Sequence, residues 1–156
     1  MNNPQPISIQ QPCTEMTILV TPEMANFSGR MHGGELLKML DKVAYTCASR
    51  YCGEYVVTIS VDKVTFKQPI FMGELLTFLA SVNYTGKSSL EVGIKVIAED
   101  IKKRTVRHSN TSYFTMVAID ENGKKFEVPQ LELITEVQKE RFHQAENRRL
   151  KRLTKD

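Results

Sequence analysis

Only one stretch ahead of the last fifth of the sequence has a helical period, and its length decides what the rest of the chain must do. Residues 26–52 run from a polar loop, Asn26-Phe-Ser-Gly29-Arg-Met-His32-Gly33-Gly34, into an apolar-patterned segment that ends at Cys52. At 100° per residue, Leu36, Leu37, Leu40, Val43, Ala44, Cys47, Ala48 and Tyr51 fall within an arc of about 140°. One broad buried face is therefore expected, with Glu35, Lys38, Lys42, Thr46 and Ser49 on the opposite side. Asp41 falls at the margin of the apolar arc. An acid there is commonly a surface residue that snorkels or pairs. Burial at the margin would instead strip its water and raise its pKa, which suits general-base or nucleophilic work. The loop supplies the complement: a helix start leaves unpaired N–H donors and a partial positive charge, and glycines let a carbonyl or anion approach them.

Past Cys52-Gly53, a glycine helix stop, the period changes from 3.6 to 2. Val57, Ile59 and Val61 alternate with Thr58, Ser60 and Asp62, and Val64 and Phe66 resume on shifted parity, which predicts a bulge or bend near Asp62-Lys63. Leu76 to Tyr84 and Leu90 to Ala98 are alternating runs joined by Thr85-Gly86-Lys87-Ser88-Ser89, and they are expected to pair as a hairpin. A further strand runs from about Thr105 to Ile119 and closes at Asp120-Glu-Asn-Gly123. With Thr14–Val20 as a first strand, the expected class is α+β, a long helix covering one face of a mainly antiparallel sheet. Residues 132–156 are expected to form a basic C-terminal helix with a weak stripe of Leu133, Val137, Phe142, Leu150 and Leu153, either a solvated surface helix or an anion-binding element. Residues 1–13, rich in Pro, Gln and Asn, are expected to form an extended arm before a domain at 14–131.

Composition narrows the function. The 156 residues suffice for one domain, and 41% hydrophobic with 25% charged residues is ordinary for a globular chain. No apolar run approaches the roughly 18 residues of a membrane span and the N-terminal residues lack a signal-peptide pattern, so a cytoplasmic protein without a membrane partner is expected. Three cysteines without ligand spacing argue against disulfide or zinc frameworks. The net charge of +3 lies wholly in the tail, where residues 137–156 hold seven Lys or Arg against three acids. With Phe142 as the tail's only aromatic, no nucleic-acid partner is expected.

Asn26, Gly29, His32-Gly33-Gly34 and Asp41 at these spacings resemble the hotdog-fold acyl-coenzyme A thioesterases. So do the stretches that follow: Thr58-Ile-Ser-Val-Asp62-Lys-Val-Thr-Phe66-Lys-Gln-Pro69-Ile, Gly73-Glu74 and Thr85-Gly86-Lys87-Ser88-Ser89-Leu-Glu-Val92. The likeness covers roughly residues 14 to 130 and is strongest to the cytosolic acyl-CoA hydrolases, the brain-type group included. It implies a hotdog fold and hydrolysis of acyl-CoA to free fatty acid and coenzyme A, with no metal and no cofactor. Carried over by position, Asp41 is the catalytic acid, acting as general base or nucleophile. Asn26 orients water or carbonyl, and Gly33 offers its N–H to the thioester carbonyl. Gly34, His32 and Thr58 join the substrate-binding set, His32 by shaping the turn. Lys87, Ser88 and Ser89, with Arg148, Arg149 and Arg152 of the tail, are candidates for the coenzyme A phosphates. Relatives often carry Asp-Glu where this chain has Asp41-Lys42, a change expected to bear on specificity or packing.

Gly33 and Asp41 stand about 12 Å apart along one helix, too far to serve a single carbonyl carbon. A site shared between two copies is therefore expected, in dimers and, as the resemblance implies, a trimer of dimers forming a homohexamer. The same fold also serves CoA-ester dehydratases and non-catalytic acyl-CoA binding modules. Dehydratases generally rely on a catalytic histidine, and Asp41 with Asn26 favours hydrolysis.

Overall fold

Period-2 alternation builds five strands, which form one antiparallel sheet in the computed structural model, where residues 12–155 are described. In chain order these are β1 (Cys13–Leu19), β2 (Tyr55–Asp62), β3 (Leu75–Thr85), β4 (Ser89–Asp100) and β5 (Thr105–Ile119). Helix α1 (Gly33–Cys52) follows β1, and α2 (Glu136–Leu153) follows β5. The order across the sheet is β1-β3-β4-β5-β2, so β1 and β2 are its edges. β3 and β4 pair as the expected hairpin, with Leu76 opposite Ala98 and Phe78 opposite Val96.

α1 lies on one face and seals it. Leu40, Val43, Ala44 and Cys47 meet Phe78, Val92, Val96, Phe114 and Met116 in a core from which water is excluded. Each large side chain of this kind contributes about 1.5–3 kcal/mol relative to exposure. Burial pushes the Cys47 and Cys52 thiols up to about 12 and about 11, so neither is a nucleophile near neutral pH. Gly53 stops the helix in a left-handed conformation, φ 72°, with its N–H donating to the Ser49 carbonyl. Among the described residues no helix is long and apolar enough to cross a membrane.

Three expectations are corrected by the packing. Leu37, placed on the buried face by the helical wheel, is 41% exposed, and Lys38, placed opposite it, stands beside Leu37 on an open groove. The bend expected near Asp62-Lys63 is present, and a separate register irregularity in β2 falls between Thr58 and Ser60. The strand stops at Asp62, and Lys63 then turns the chain with φ 55°, a left-handed conformation unusual for a residue with a Cβ. Of the expected arm, residues 1–11 lie outside the described residues. Cys13 already pairs with Ser81, and Pro12 accepts from the Val82 amide.

The C-terminal helix is no freely solvated element. Thr135 and Gln138 close a capping box at its start, and the helix then crosses the face of the sheet opposite α1. The Phe142 ring lies 4.9 Å from that of Tyr84, and Ala145 is buried. Arg148 clamps the buried Glu91 with two hydrogen bonds of 3.0 and 2.6 Å while its guanidinium stacks 3.6 Å over Tyr113. Arg149 donates to the Tyr84 hydroxyl, and Arg152 pairs with Asp62 at 2.9 Å.

Candidate active site

The bulge at Ile59 sets up the site. Before it, Val56 and Thr58 face α1; after it, parity has shifted and Val61 faces α1 opposite Phe114. Thr58 can therefore reach the helix, and its hydroxyl donates to Asp41 Oδ1 at 2.7 Å. Oδ2 has no partner among the described residues. Asp41 shares its stripe of α1 with Gly34, Leu37 and Lys38, spaced i, i+3, i+4 and i+7. Across from them stand Val61, Val64, Phe66 and Phe114, and the two walls enclose a cavity of about 540 Å³. One carboxylate, the Lys38 side chain and the start of a helix thus open on a groove whose remaining walls are apolar.

Asp41 is nonetheless exposed in the isolated chain, so the burial expected at the helix margin is not supplied by its own protomer. The helix start is equally open. Gly33 is the first residue of α1, and His32, which precedes it, makes no side-chain cap, so the N–H groups of Gly33, Gly34 and Glu35 find no acceptor among the described residues. The Phe66 ring packs over Gly33, and a Cβ there would stand 3.4 Å from the ring.

Asn26 is held by its own loop. Its Oδ1 accepts from the Ser28 amide at 3.0 Å, the Ser28 hydroxyl at 2.7 Å and the Arg30 amide at 3.2 Å, which leaves Nδ2 to donate elsewhere. The loop is tied to the segment before β3, with Met31 N–H donating to Ile70 O and Met72 N–H to Gly29 O. That segment is anchored in turn by Glu74, which accepts from the Phe71 amide and from Arg107, while Arg107 also donates to Pro69 O. Hydrogen bonding from Arg107 holds the Glu74 carboxyl below the usual carboxylate range, against the effect of burial. No sequence pattern signalled this anchor, because it joins residues 33 positions apart.

The structure brings together Asp41, Thr58 and Gly34 at the groove, with Gly33 at the start of the same helix and Asn26 and His32 on the loop leading into it. It does not bring Arg148 and Arg149 to them, because both lie on the opposite face of the sheet and are engaged by Glu91 and Tyr84. Lys87 and Ser88 lie in the turn between β3 and β4 and Ser89 opens β4; the Lys87 and Ser88 carbonyls accept from Val128 and Ala118, and the Lys87 side chain is exposed. His108 Nε2 lies 3.0 Å from the Asn110 carbonyl, which can only accept, and 2.7 Å from Thr111 Oγ1, away from Asp41. Lys42 is exposed and does not line the groove.

Comparison with known proteins adds an independent line. Residues 28–105 match the Thioesterase superfamily. Protein VdlD of Helicobacter pylori is 58% identical over 134 residues, 86% of this chain and 76% of that one. An acyl-CoA hydrolase from Staphylococcus aureus, solved with butyryl coenzyme A, coenzyme A and coenzyme A disulfide, is 32% identical with a TM-score of 0.84, covering 92% of this chain and 88% of that one. A hexameric acyl-CoA thioesterase solved in its apo form is 34% identical with a TM-score of 0.88, covering 92% of each chain. The staphylococcal enzyme has also been solved as alanine variants at an asparagine, an aspartate and a threonine separated by 15 and 17 positions. Asn26, Asp41 and Thr58 are separated by the same two intervals.

Proposed function

The chain belongs to the thioesterase superfamily, and from that premise we propose that it hydrolyses acyl-CoA to a free fatty acid and coenzyme A in the cytoplasm. The observation that carries this reading is the carboxylate of Asp41, fixed through one oxygen by Thr58 and open through the other, in an apolar groove beside a glycine helix start.

Each part has a chemical role. The apolar walls accept the acyl chain, and the thioester carbonyl lies against donors from a helix start. The Gly33 N–H stabilises the oxyanion as the carbonyl carbon is attacked, an effect of about 3–4 kcal/mol for one donor. Asp41 either takes a proton from the attacking water or attacks the carbon itself. The second route expels the thiolate of coenzyme A and leaves an anhydride that water then opens. Both routes need a carboxylate with a free oxygen, which Oδ2 provides. Asn26, its acceptor spent within the loop, uses Nδ2 to orient the carbonyl or the water.

The reading also requires two chains. With Gly33 and Asp41 about 12 Å apart on one helix, the oxyanion donor and the acid at one carbon come from different copies. The chain leaves surfaces suited to this: β2 is an edge strand with Tyr55, Val57, Ile59 and Val61 exposed, and Val61 lines the open groove together with the bared Leu37. A second copy would complete the sheet and cover Asp41, giving dimers and, by likeness to the hexameric structure, a trimer of dimers. An acyl-CoA panel assayed by thiol release tests the activity. Turnover of several acyl-CoAs that is lost in D41N is the expected result, and an enzyme that releases no thiol from any of them contradicts the proposal.

A further inference from the structure

Strand β2 stays paired with β5 as far as Asp62 opposite Tyr113, where Lys63, with φ 55°, turns the chain out of the ladder. Residues 63–69 then have no regular structure, and among the described residues none of them takes part in a backbone–backbone hydrogen bond. They still alternate. Val64 and Phe66 line the groove that holds Asp41, and the Phe66 ring packs on Gly33, while Lys63, Thr65 and Lys67 line a separate cavity against α2. One wall of the candidate active site is thus a strap without a ladder.

Two side chains of β5 take the place of the missing ladder. Arg107 donates to the Pro69 carbonyl at 2.6 Å, which fixes the far end. Asn110 holds the middle: its Nδ2 donates at 2.7 Å to the carbonyl of Thr65, the residue between Val64 and Phe66. Asn110 shares its face of β5 with Phe114, also part of the groove, and is only 2% exposed. Its Oδ1 is buried with no partner. Burying an amide that uses only its donor side is unfavourable, and the one side-chain bond it makes among the described residues goes to the groove wall.

We propose that Asn110 is a positioning residue for the acyl group: by holding the Thr65 carbonyl it fixes Val64 and Phe66 in the wall, and so sets how closely the groove grips an acyl chain. Asn110 itself touches no substrate. Its bearing on an acyl chain rests on the hydrolytic reading above; the tether to Thr65 does not. Without the tether the strap keeps only its covalent ends and the Arg107 bond, and Val64 and Phe66 are free to draw back from Gly34 and Leu37 across the groove.

Limited trypsin digestion of the full-length protein tests the tether without reference to catalysis, because Lys63 and Lys67 both lie in the strap and are exposed. N110A and N110S are compared with the native chain; serine leaves a small polar group in place but falls one bond short of the Thr65 carbonyl. Cleavage after Lys63 or Lys67 should quicken about fivefold in both, with cleavage at Lys102 and Lys103 of the β4–β5 turn unchanged. Kinetics then test the acyl role. In the native enzyme kcat/KM should rise about fourfold for each methylene that the groove buries. In both variants that slope should flatten, the loss growing with chain length, whereas a fold merely loosened lowers every chain by one factor. F66A, a change at an exposed residue, should flatten the slope by itself, and N110A should add little to it. Native cleavage rates at Lys63 and Lys67 in N110S, or a loss of kcat/KM that is uniform across chain lengths, overturns the proposal while the hydrolytic reading stands. A native protein that releases no thiol contradicts that reading, and with it the acyl role of Asn110, whatever the cleavage shows.

Discussion

On the outer face of the sheet Arg148, Arg149 and Arg152 each meet an acid or an aromatic ring of the strand beneath, whereas on the inner face Asp41 meets one hydroxyl and an open apolar groove. Both faces are covered by a helix of the same chain, yet only one is finished. α2 brings its own counter-charges to Glu91 and Asp62, so its register is fixed within the protomer. α1 buries one stripe in the core and leaves a second, Gly34, Leu37, Lys38 and Asp41, with nothing opposite but the groove wall. The difference teaches where the assembly has to add material: the chemistry sits on the surface that its own chain leaves incomplete.

The sharpest way to break this comparison is to remove the helix-start donor without touching the helix. Proline at position 33 should be tolerated, because this is the first helical position and His32 already has the extended conformation, φ −61° and ψ 135°, required before proline. G33P should therefore lower kcat by about 100- to 1,000-fold with helix content unchanged by circular dichroism. D41N should cost about 100-fold or more in kcat while melting near the native temperature, because the position is exposed and the Thr58 hydroxyl can still donate to an amide oxygen there. Retention of native kcat in D41N would move the chemistry elsewhere.

Changes on the finished face should have the opposite profile. Removing Glu91 strands Arg148 above the sheet, and loss of one partner from a buried pair costs about 3–5 kcal/mol. E91A should thus lower the melting temperature far more than D41N does. Thermal unfolding of the two variants in parallel checks this.

A smaller effect distinguishes the anchor of the Asn26 loop. The folded Glu74 carboxyl titrates below its ordinary value of 4.5, so its contribution to stability is complete above that pH and is lost as pH falls through the lowered value. E74Q should flatten the acid limb of a stability profile below about pH 4.5. An unchanged acid limb would show that Arg107 does not hold this carboxyl in the charged form.

Much of the fold was legible because alternation reports which face a strand residue occupies. β5 spans Thr105–Ile119, the stretch its pattern indicated, and the hairpin of β3 and β4 formed around the glycine turn. The parity change in the sequence marked the bend at Lys63, whereas the register shift at Ile59 was not legible, because Val57, Ile59 and Val61 read as one uninterrupted alternation. Leu37 misled for a related reason: a helical wheel ranks residues by direction, and a second apolar stripe awaiting a partner looks like the edge of the first. Asp41 could be singled out by its spacing from Asn26, whereas its contacts with Thr58, and those of Phe66 with Gly33, depend on how the chain after β2 folds back. The tail arginines show the limit of charge counting, for composition cannot tell a free cation from one already matched to Glu91 or Asp62.

The central claim is that one reaction centre draws on two chains, and subunit mixing tests it most directly. Asn26→Ala and Asp41→Ala proteins, each inactive, are co-expressed or unfolded and refolded together, and thiol release from acyl-CoA is measured. If Asn26 of one chain serves Asp41 of the other, a mixed dimer holds one intact site and one lacking both residues. Random pairing makes half the dimers mixed, so activity should return to roughly a quarter of the native value per chain. No recovery, with mixed dimers confirmed by mass spectrometry, would mean that Asn26 and Asp41 act within a single chain.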